Sequence, residues 1–379
     1  MPAFVGVLIF ALVVLLVIVA HESGHFFAAK AFGIKVEEFF VGFGPRLWSF
    51  RRGETEYGIK AIPAGGYVRI AGMNPFQETA PEDLPRTFGA KPPWQRAIVL
   101  LAGSFTHFVL ALLLLGVYFG AIGVPERFAP RVAGVEETLE GRPSPAAEAG
   151  FQPGDEFVEV DGRPVRSYQE FVEYTRDRAG QELLLVVDRD GERVTLRATP
   201  VLAPVEGELV GRLGVTLTLG SVLERDRVNP LAAVGRASDE VGSMSAASFR
   251  AMGEIFSPSG LARIGRQLFG EEPRSLERDP AGIVGAARLS GQAVEEGLFD
   301  VLFFLFAGFN VFVGILNILP LPPLDGGHLA VVGFEKVTGK RIDVRRLLPL
   351  TALVAGFLML FMVSLLYLDV TRPLPNPFR

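Results

Sequence analysis

The sequence predicts a polytopic α-helical membrane protein with about four transmembrane helices, an extracytoplasmic α+β domain and a small β hairpin or sheet on the cytoplasmic side. Of its 379 residues, 49% are hydrophobic and only 21% are charged. The mean hydropathy of +0.34 is high for a soluble protein. Four apolar segments are long enough to cross a bilayer, which takes roughly 20 helical residues. Between the second and third of them lies a long segment with strand, helix and turn signals.

Composition excludes several functions. A net charge of -5 gives no overall basic surface, so we expect no nucleic-acid partner. The chain has no cysteine, which excludes a disulfide framework, a cysteine nucleophile and a thiolate zinc site. Any transition metal must therefore be bound by histidine and carboxylate side chains. The four histidines are His21, His25, His107 and His328.

The apolar segments predict membrane spans over residues 1–30, 96–125, 300–324 and 346–369. The first contains no charged residue before Glu22. A cleavable signal peptide is the alternative for this segment, but no positive residue precedes the apolar run and no small-x-small site follows it. We therefore predict a retained transmembrane helix, with the lipid bilayer as a partner of the chain.

Basic residues orient these spans, because Lys and Arg are retained on the cytoplasmic side. Ten Lys and Arg residues lie in residues 30–96 and five lie in residues 336–346. An even number of spans puts both loops on one face, which is predicted to be cytoplasmic. Residues 126–299 and both ends of the chain then lie on the other side.

Strand signals mark the cytoplasmic-side loop over residues 31–95. Residues 54–62 and 67–70 predict two strands joined through Gly65-Gly66. The loop over residues 325–345 shows no such pattern. We expect a small hairpin or sheet close to the membrane from the first loop alone.

The outer segment predicts a compact α+β domain over residues 126–205. Its predicted helices and strands are residues 145–150, 157–160, 168–178, 183–187 and 194–199. Asp161-Gly162 and Asp190-Gly191 predict tight turns. Residues 206–299 are predicted to be helical or irregular, and we assign no chemistry to them.

His21-Glu22-Ser23-Gly24-His25 forms an H-E-x-x-H motif at the end of the first span. Residues four apart share one helix face, so both imidazoles can bind one Zn²⁺ ion, with Glu22 beside it as a candidate base. Lys30 lies nine residues further on, which puts His21 roughly 13 Å inside the membrane boundary. Polar groups at that depth are costly unless they pair, bind a metal or line a watery cavity. Interhelical hydrogen bonding without a metal is the alternative.

A third ligand is needed if one coordination position is to stay open for water. The stretch from Asn317 to His328 breaks the third span with three prolines and carries Asp325 before two glycines. Irregular backbone at membrane depth is tolerated where protein or a water-filled cavity surrounds it. Asp325 is therefore the predicted third ligand, and a solvated loop carboxylate is the alternative.

Three further side chains were weighed for this site. Asn317 could offer its amide to substrate or to a developing oxyanion, and a helix-packing hydrogen bond is the alternative. His328 competes with Asp325 as the third ligand and ranks second. His107 is predicted to be a packing or pore histidine and is left out of the metal site.

Two resemblances follow from these motifs. The run Ser144-Pro-Ala-Ala-Glu-Ala-Gly-Phe-Gln-Pro-Gly-Asp155 resembles the bacterial PDZ pattern, which implies a groove where an extended peptide adds to a sheet edge. A generic small sandwich that only spaces the helices is the alternative. The H-E-x-x-H motif, the Gly-rich strand, the PDZ-like domain and the N-x-x-P-x-x-x-L-D-G stretch occur in the order of the site-2 protease family. The whole chain resembles its bacterial branch of regulator of sigma-E protease type.

The resemblance implies a zinc metalloendopeptidase of regulated intramembrane proteolysis. It implies His21, His25 and Asp325 on Zn²⁺, Glu22 as catalytic base and Asn317 as a substrate or transition-state contact. The implied substrates are transmembrane proteins such as an anti-sigma factor or signal-peptide remnants. The implied location is the bacterial inner membrane, with the PDZ-like domain extracytoplasmic. A single PDZ-like pattern is visible, where some relatives carry two.

Two other classes of function remain open on sequence alone. A non-proteolytic scaffold would use the PDZ-like domain to recruit partners. An ion transporter would use the buried His and Glu side chains as its pathway.

Overall fold

The computed structural model describes residues 2–74, 79–205, 208–276, 278–340 and 342–377. Two compact units emerge: unit 1 comprises Met1–Tyr118 and Pro230–Arg379, and unit 2 comprises Phe119–Asn229. In chain order, the elements are α1 (Pro2–Ala31), β1 (Val36–Arg52), β2 (Thr55–Ile70), α2 (Pro93–Val117), β3 (Val124–Val135), β4 (Thr138–Leu139), β5 (Arg142–Pro143), α3 (Pro145–Ala149), β6 (Glu156–Val160), β7 (Arg163–Pro164), α4 (Tyr168–Arg176), β8 (Leu183–Arg189), β9 (Glu192–Ala198), β10 (Val201–Val205), β11 (Glu208–Arg212), β12 (Val215–Asp226), α5 (Pro230–Ile255), α6 (Pro258–Phe269), α7 (Ile283–Glu295), α8 (Phe299–Ile318), α9 (Asp325–Thr338) and α10 (Leu348–Thr371).

Unit 1 contains the membrane-length helices. Within the described ranges, four helical segments are long and apolar enough to cross a bilayer: Phe4–Ala31, Pro93–Ile122, Phe299–Ile318 and Arg345–Thr371. They overlap the four predicted spans, although the third helix ends at Ile318 and not at residue 324, because the proline-containing turn interrupts it. This confirms the predicted number of apolar helices.

Helix α2 lies at the centre of unit 1 and contacts α1, α5, α8 and α9. Helices α1 and α2 approach closely because Gly24 has no side chain: a Cβ atom there would lie 2.4 Å from the carbonyl oxygen of Ala102. In the first turn of α2, Arg96 Nη1 lies 2.5 Å from Glu335 Oε2 and joins α2 to α9. These contacts fix α1 and α9 on the same central helix.

Strands β1 and β2 form a sheet against the end of α1. Residues 36–41 pair with residues 66–70 on one side and with residues 56–59 on the other, and residues 46–52 pair with residues 55–60. Ile34, Val36 and Ile70 are buried with Phe26 of α1 in one apolar cluster. Among the described residues no further strand pairs with residues 66–70, so this segment is an edge of the sheet.

Unit 2 is built on a sheet with the strand order β12-β3-β6-β8-β9. Helices α3 and α4 cap it, and Phe157 and Phe171 meet at 4.2 Å between ring centroids in its core. Ser144 and Ser167 begin the two helices by accepting a hydrogen bond from the third residue onward. The Asp161-Gly162 and Asp190-Gly191 turns have positive φ at both residues, as their sequence predicts.

The structure differs from the predicted elements in three places. The strands predicted over residues 54–62 and 67–70, with a turn at Gly65-Gly66, form one strand, β2, because Gly66 pairs with Val41 instead of turning the chain, and β1 has no counterpart among the predicted strands. Residues 208–226, predicted as helical or irregular, form β11 and β12, and β12 pairs with β3 along its length. Such an edge strand gains its conformation from its partner, so its own sequence carries a weak signal. Residues 325–338, predicted as loop, form α9. Gly326 and Gly327 allow this helix to begin against the preceding turn, where a Cβ on Gly326 would lie 2.1 Å from the Ile318 carbonyl oxygen.

Candidate metal centre

Helix α1 presents His21 and His25 on one face, as the four-residue spacing predicts. The Nδ1 atom of His25 lies 2.8 Å from the carbonyl oxygen of Val99 in α2. A carbonyl oxygen only accepts, so His25 Nδ1 carries the hydrogen and Nε2 of the neutral ring carries a lone pair. The Nε2 atoms of His25 and His21 are 3.1 Å apart.

Asp325 reaches the same point from the first turn of α9. Its Oδ2 atom lies 3.3 Å from Nε2 of His21 and 3.3 Å from Nε2 of His25. Helix α8 ends at Ile318, and the proline-containing turn after it returns the chain so that α9 begins beside α1 and α2. The structure thus brings together all three side chains predicted as metal ligands.

The chemistry of these three atoms fits a cation. Ligand atoms about 2.0–2.1 Å from a tetrahedral ion lie about 3.3 Å from one another, which matches the separations of 3.1, 3.3 and 3.3 Å. Among the described residues, the buried Asp325 Oδ2 has no hydrogen-bond donor. Three acceptor atoms at such short range repel one another unless a positive charge lies between them.

Helix α2 leaves room for the two imidazoles at Gly103. A Cβ atom at this position would lie 2.2 Å from His25 Nε2 and 2.8 Å from His21 Cε1. Any larger residue would therefore occupy the space where the ligand atoms meet. The Gly24 and Gly103 positions together allow α1 to present its histidines directly against the α2 backbone.

Glu22 and Asn317 line one cavity of about 220 Å³ with His21. Gly65 and Gly66 of β2 form part of its wall. The backbone of Val68 in β2 interacts with the Glu22 carboxylate. The cavity therefore holds a carboxylate, a carboxamide and one candidate ligand next to an edge strand, and the His107 imidazole also lines it.

The remaining two histidines take different positions. His328 lines a separate cavity of about 500 Å³ with Tyr67 to Ile70 and lies outside the three-residue group. Its ranking below Asp325 as third ligand agrees with this position. His107, predicted as a packing or pore histidine, is buried beside the site, with Nε2 3.1 Å from Nδ1 of His21. No local sequence signal connects it to the motif, because the two residues are 86 positions apart.

Comparisons with known proteins identify the family of the chain. The model of peptidase family M50 matches residues 9–363. The zinc metalloprotease Rip1 of Mycobacterium tuberculosis is 34% identical, over 99% of this chain and 98% of the relative. The metalloprotease MmpA of Caulobacter vibrioides is also 34% identical, over 89% of this chain and 88% of the relative.

Among solved structures, the PDZ domain of an SdrC-like protein from Listeria monocytogenes covers 24% of this chain and 90% of that chain, with 22% identity and a TM-score of 0.21. The whole-chain comparisons are the ones that identify the protein. With a match over residues 9–363 and 34% identity over almost its full length, the chain belongs to peptidase family M50 and is a zinc metalloprotease.

Proposed function

We propose that this protease hydrolyses peptide bonds in or near transmembrane helices of membrane proteins, with Zn²⁺ bound by His21, His25 and Asp325. The observation that carries the assignment is the convergence of three acceptor atoms at separations of 3.1, 3.3 and 3.3 Å. A zinc ion bound there would polarise a water molecule and a substrate carbonyl. Helix α1 supplies two of the ligands from within Phe4–Ala31, a segment long and apolar enough to cross a bilayer, which supports a site below the membrane surface.

Glu22 and Asn317 are assigned the two remaining roles. Glu22 follows His21 directly and lines the same cavity, so its carboxylate can accept a proton from the attacking water and return it to the leaving amine. Asn317 faces that cavity from the last turn of α8. Its amide can donate a hydrogen bond to the carbonyl oxygen as negative charge develops there.

A test of this proposal separates catalysis from folding and from metal binding. Glu22→Gln should keep about one zinc per purified chain and abolish cleavage of a membrane-embedded test substrate, because it removes the base and leaves the ligands. The matched control, Glu148→Gln, changes an exposed glutamate of unit 2 and should cleave normally. Full cleavage by Glu22→Gln contradicts the assignment. A scaffold or an ion transporter would keep partner binding or show ion flux, with no proteolysis in either variant.

We also propose that substrate pairs with residues 66–70 of β2 as an added strand. A scissile bond must leave its helix before attack, because helical carbonyls are already hydrogen-bonded. The edge position of residues 66–70, and the contact of Gly65 and Gly66 with the cavity, support this. The substitution Ile70→Pro would block strand pairing at this edge, but it is a poor test. Ile70 is buried in the apolar cluster, and its loss would damage the fold.

The absence of native cysteine allows a cleaner test by disulfide crosslinking. In a Glu22→Gln background, cysteine replaces the exposed Arg69, and single cysteines are moved along the substrate. Strand pairing predicts crosslinks that alternate along the substrate with a period of two residues. Leu47→Cys, on the opposite edge of the same sheet, is the control and should crosslink weakly. Equal crosslinking at both edges would exclude edge addition.

We propose further that unit 2 lies outside the cytoplasm of a bacterial inner membrane and binds an extended segment of the substrate or of a partner. Its edge strand β12 offers a site for strand addition. Because β3 and β12 pair, the deletion that tests this must remove all of Phe119–Asn229. Substitution of this unit by a flexible linker should admit substrates that still carry a folded outer domain. An unchanged substrate range counts against the proposal.

A further inference from the structure

His107 and Asn310 form a buried polar pair that the proposed reaction does not use. His107 is 2% exposed and Asn310 is 0% exposed, and both lie in membrane-length helices. His107 bridges the two neighbouring helices: its Nε2 atom lies 3.1 Å from His21 Nδ1, and its Nδ1 atom lies 3.3 Å from Asn310 Oδ1. Burying polar groups at this depth in an apolar helix costs free energy, so such groups commonly pair or serve a function.

The orientation of the Asn310 amide determines the direction of the first hydrogen bond in the series from Asn310 to His107 and His21. Its Nδ2 atom lies 2.8 Å from the carbonyl oxygen of Phe306. The opposite orientation would set two oxygens 2.8 Å apart, so Nδ2 donates to Phe306 and Oδ1 is turned toward His107. An amide oxygen accepts hydrogen bonds and never donates them.

Each later hydrogen follows from the one before. Because Asn310 Oδ1 accepts, His107 Nδ1 carries the hydrogen, and Nε2 of the neutral ring carries a lone pair. His107 Nε2 therefore accepts from His21 Nδ1. The neutral His21 ring then has its lone pair on Nε2, the atom that faces His25 Nε2 and Asp325 Oδ2.

The two histidine ligands are thus oriented by different means. His25 Nδ1 donates to a backbone carbonyl, that of Val99, which cannot change its role. His21 depends on two side chains from two other helices, α2 and α8. An imidazole ligand commonly donates its second N–H to an outer group, and that group sets tautomer and ring orientation.

We propose that His107 and Asn310 are positioning residues that hold His21 in the tautomer with the Nε2 lone pair directed at the metal. This inference rests on the proposed metal site. Neither residue contacts the ion or the substrate in this scheme. Their effect is to remove the competing tautomer, which would direct an N–H group at the cation.

The test compares the zinc affinity of the purified full-length chain, measured by competition with a chelator of known affinity. His107→Leu and Asn310→Leu keep the side-chain volume and remove the hydrogen bonds, and each should weaken zinc binding by about 10–100-fold. His107→Gln keeps an acceptor for His21 and a donor for Asn310, so it should restore affinity close to the wild-type value. Ser104→Ala is the matched control: Ser104 is buried one turn before His107, and its hydroxyl has no hydrogen-bond partner among the described residues.

Two readouts separate positioning from packing. With four histidines in the chain, nitrogen-15 spectra of labelled protein can follow the His21 ring. They should show a single tautomer protonated at Nδ1 in the wild type and a mixture in His107→Leu. In a double-mutant cycle, Asn310→Leu should cost no further affinity once His107→Leu is present, because the second group acts through the first.

The outcomes distinguish this inference from the proposed function. We call the hydrogen bonds that join Asn310, His107 and His21 the relay. Wild-type affinity in both leucine variants, or additive losses in the cycle, would contradict the relay and leave the metal assignment intact. If His107→Leu does not fold, the comparison of Asn310→Leu with His107→Gln decides, since only the former interrupts the relay. If His21→Ala leaves zinc binding unchanged, the metal assignment itself fails.

Discussion

Two clusters of polar side chains in unit 1 differ in how well their donors and acceptors match. At the Arg274–Asp369 pair, one Asp369 oxygen accepts from Arg274 Nη1 at 3.0 Å and from the Gly282 amide at 3.3 Å. The other accepts from the Gly285 amide at 2.7 Å. The carboxylate is thus neutralised by one guanidinium and by backbone donors. This pair joins α10 to the segment before α7 and leaves no charge for a ligand to match.

The metal centre has the opposite balance. Asp325 Oδ2 lies near the Nε2 atoms of His21 and His25. The Nδ1 atoms of the two rings face His107 Nε2 and the Val99 carbonyl oxygen instead, so in the proposed tautomers neither ring donates to the carboxylate. Burial alone therefore does not mark a functional site. The Asp369 carboxylate is compensated within the protein, although Arg274 Nε has no hydrogen-bond partner among the described residues, whereas a cluster of acceptors with an uncompensated carboxylate calls for a cation. The same residue type, aspartate, serves structure at one site and is proposed as a ligand at the other.

The largest expected effect comes from exchanging each aspartate for asparagine. Asp325→Asn replaces the charged ligand by an amide and should lower zinc affinity by more than about 100-fold, beyond the range usual for outer groups. Asp369→Asn leaves Arg274 buried without a counter-charge and should lower the free energy of unfolding by about 3–5 kcal/mol. It should still bind one zinc per chain when folded. Chelator competition and thermal unfolding measure the two effects.

A paired replacement sharpens this contrast. Arg274→Met combined with Asp369→Leu removes both charges and fills their volume, so stability should return to near the wild-type value or exceed it. Zinc binding should stay unchanged throughout. If either change at Asp369 releases zinc from folded protein, the two clusters are coupled and the contrast between them is lost.

The sequence could predict the parts of the site that lie within short segments. His21, Glu22 and His25 share one helical face, and a helix fixes their spacing without help from other elements. Asp325 was predictable because three prolines and two glycines break the apolar pattern beside it. Its distance to the histidines still depended on a turn whose path the sequence does not specify.

The relay residues could not be found in the same way. His107 meets His21 only because α1 and α2 pack in one register, which Gly24 and Gly103 permit through backbone contact. Asn310 meets His107 through the packing of α8 on α2. Such contacts depend on interhelical distance and rotation, and neither follows from the periodicity of one helix. Strand β12 was missed for a related reason, since its partner β3 lies about 80 to 100 residues earlier in the chain.

A smaller effect on zinc affinity is expected when the close packing of α1 on α2 is disturbed. Gly103→Ala introduces a Cβ atom 2.2 Å from His25 Nε2, and His25 cannot move freely because Val99 holds its other nitrogen. The ligand triangle should distort, and zinc affinity should fall by about 10-fold, the lower end of the effects of outer-shell changes. Gly116→Ala is the matched control on the same helix, where an added Cβ has nothing within 4 Å. Equal affinity in both variants would mean that the imidazoles tolerate displacement.

The smallest expected effect concerns Asp155, a buried aspartate in unit 2 whose carboxylate also has matching donors. Burial alone would raise the pKa of the Asp155 carboxyl. Hydrogen bonds from Arg189 and from the Gln152 amide, with the charge of Arg189, outweigh this and hold the pKa below its ordinary value. The contribution to stability is therefore present above the unfolded pKa of about 3.9 and is lost as the pH falls through the folded pKa.

Hydrogen exchange of β6 and β8 in the full-length protein, corrected for the intrinsic pH dependence, measures this loss. Protection should be constant between about pH 7 and pH 5 and should fall below about pH 4, as the carboxyl binds a proton and releases Arg189. Asp155→Asn should be less protected at neutral pH and show a weaker acid transition. Glu159→Gln, which removes the exposed partner of Arg193, should behave as the wild type because a surface ion pair contributes little. An unchanged acid transition in Asp155→Asn would assign it to other carboxyl groups, and Asp155 would then be satisfied without contributing to the pH dependence.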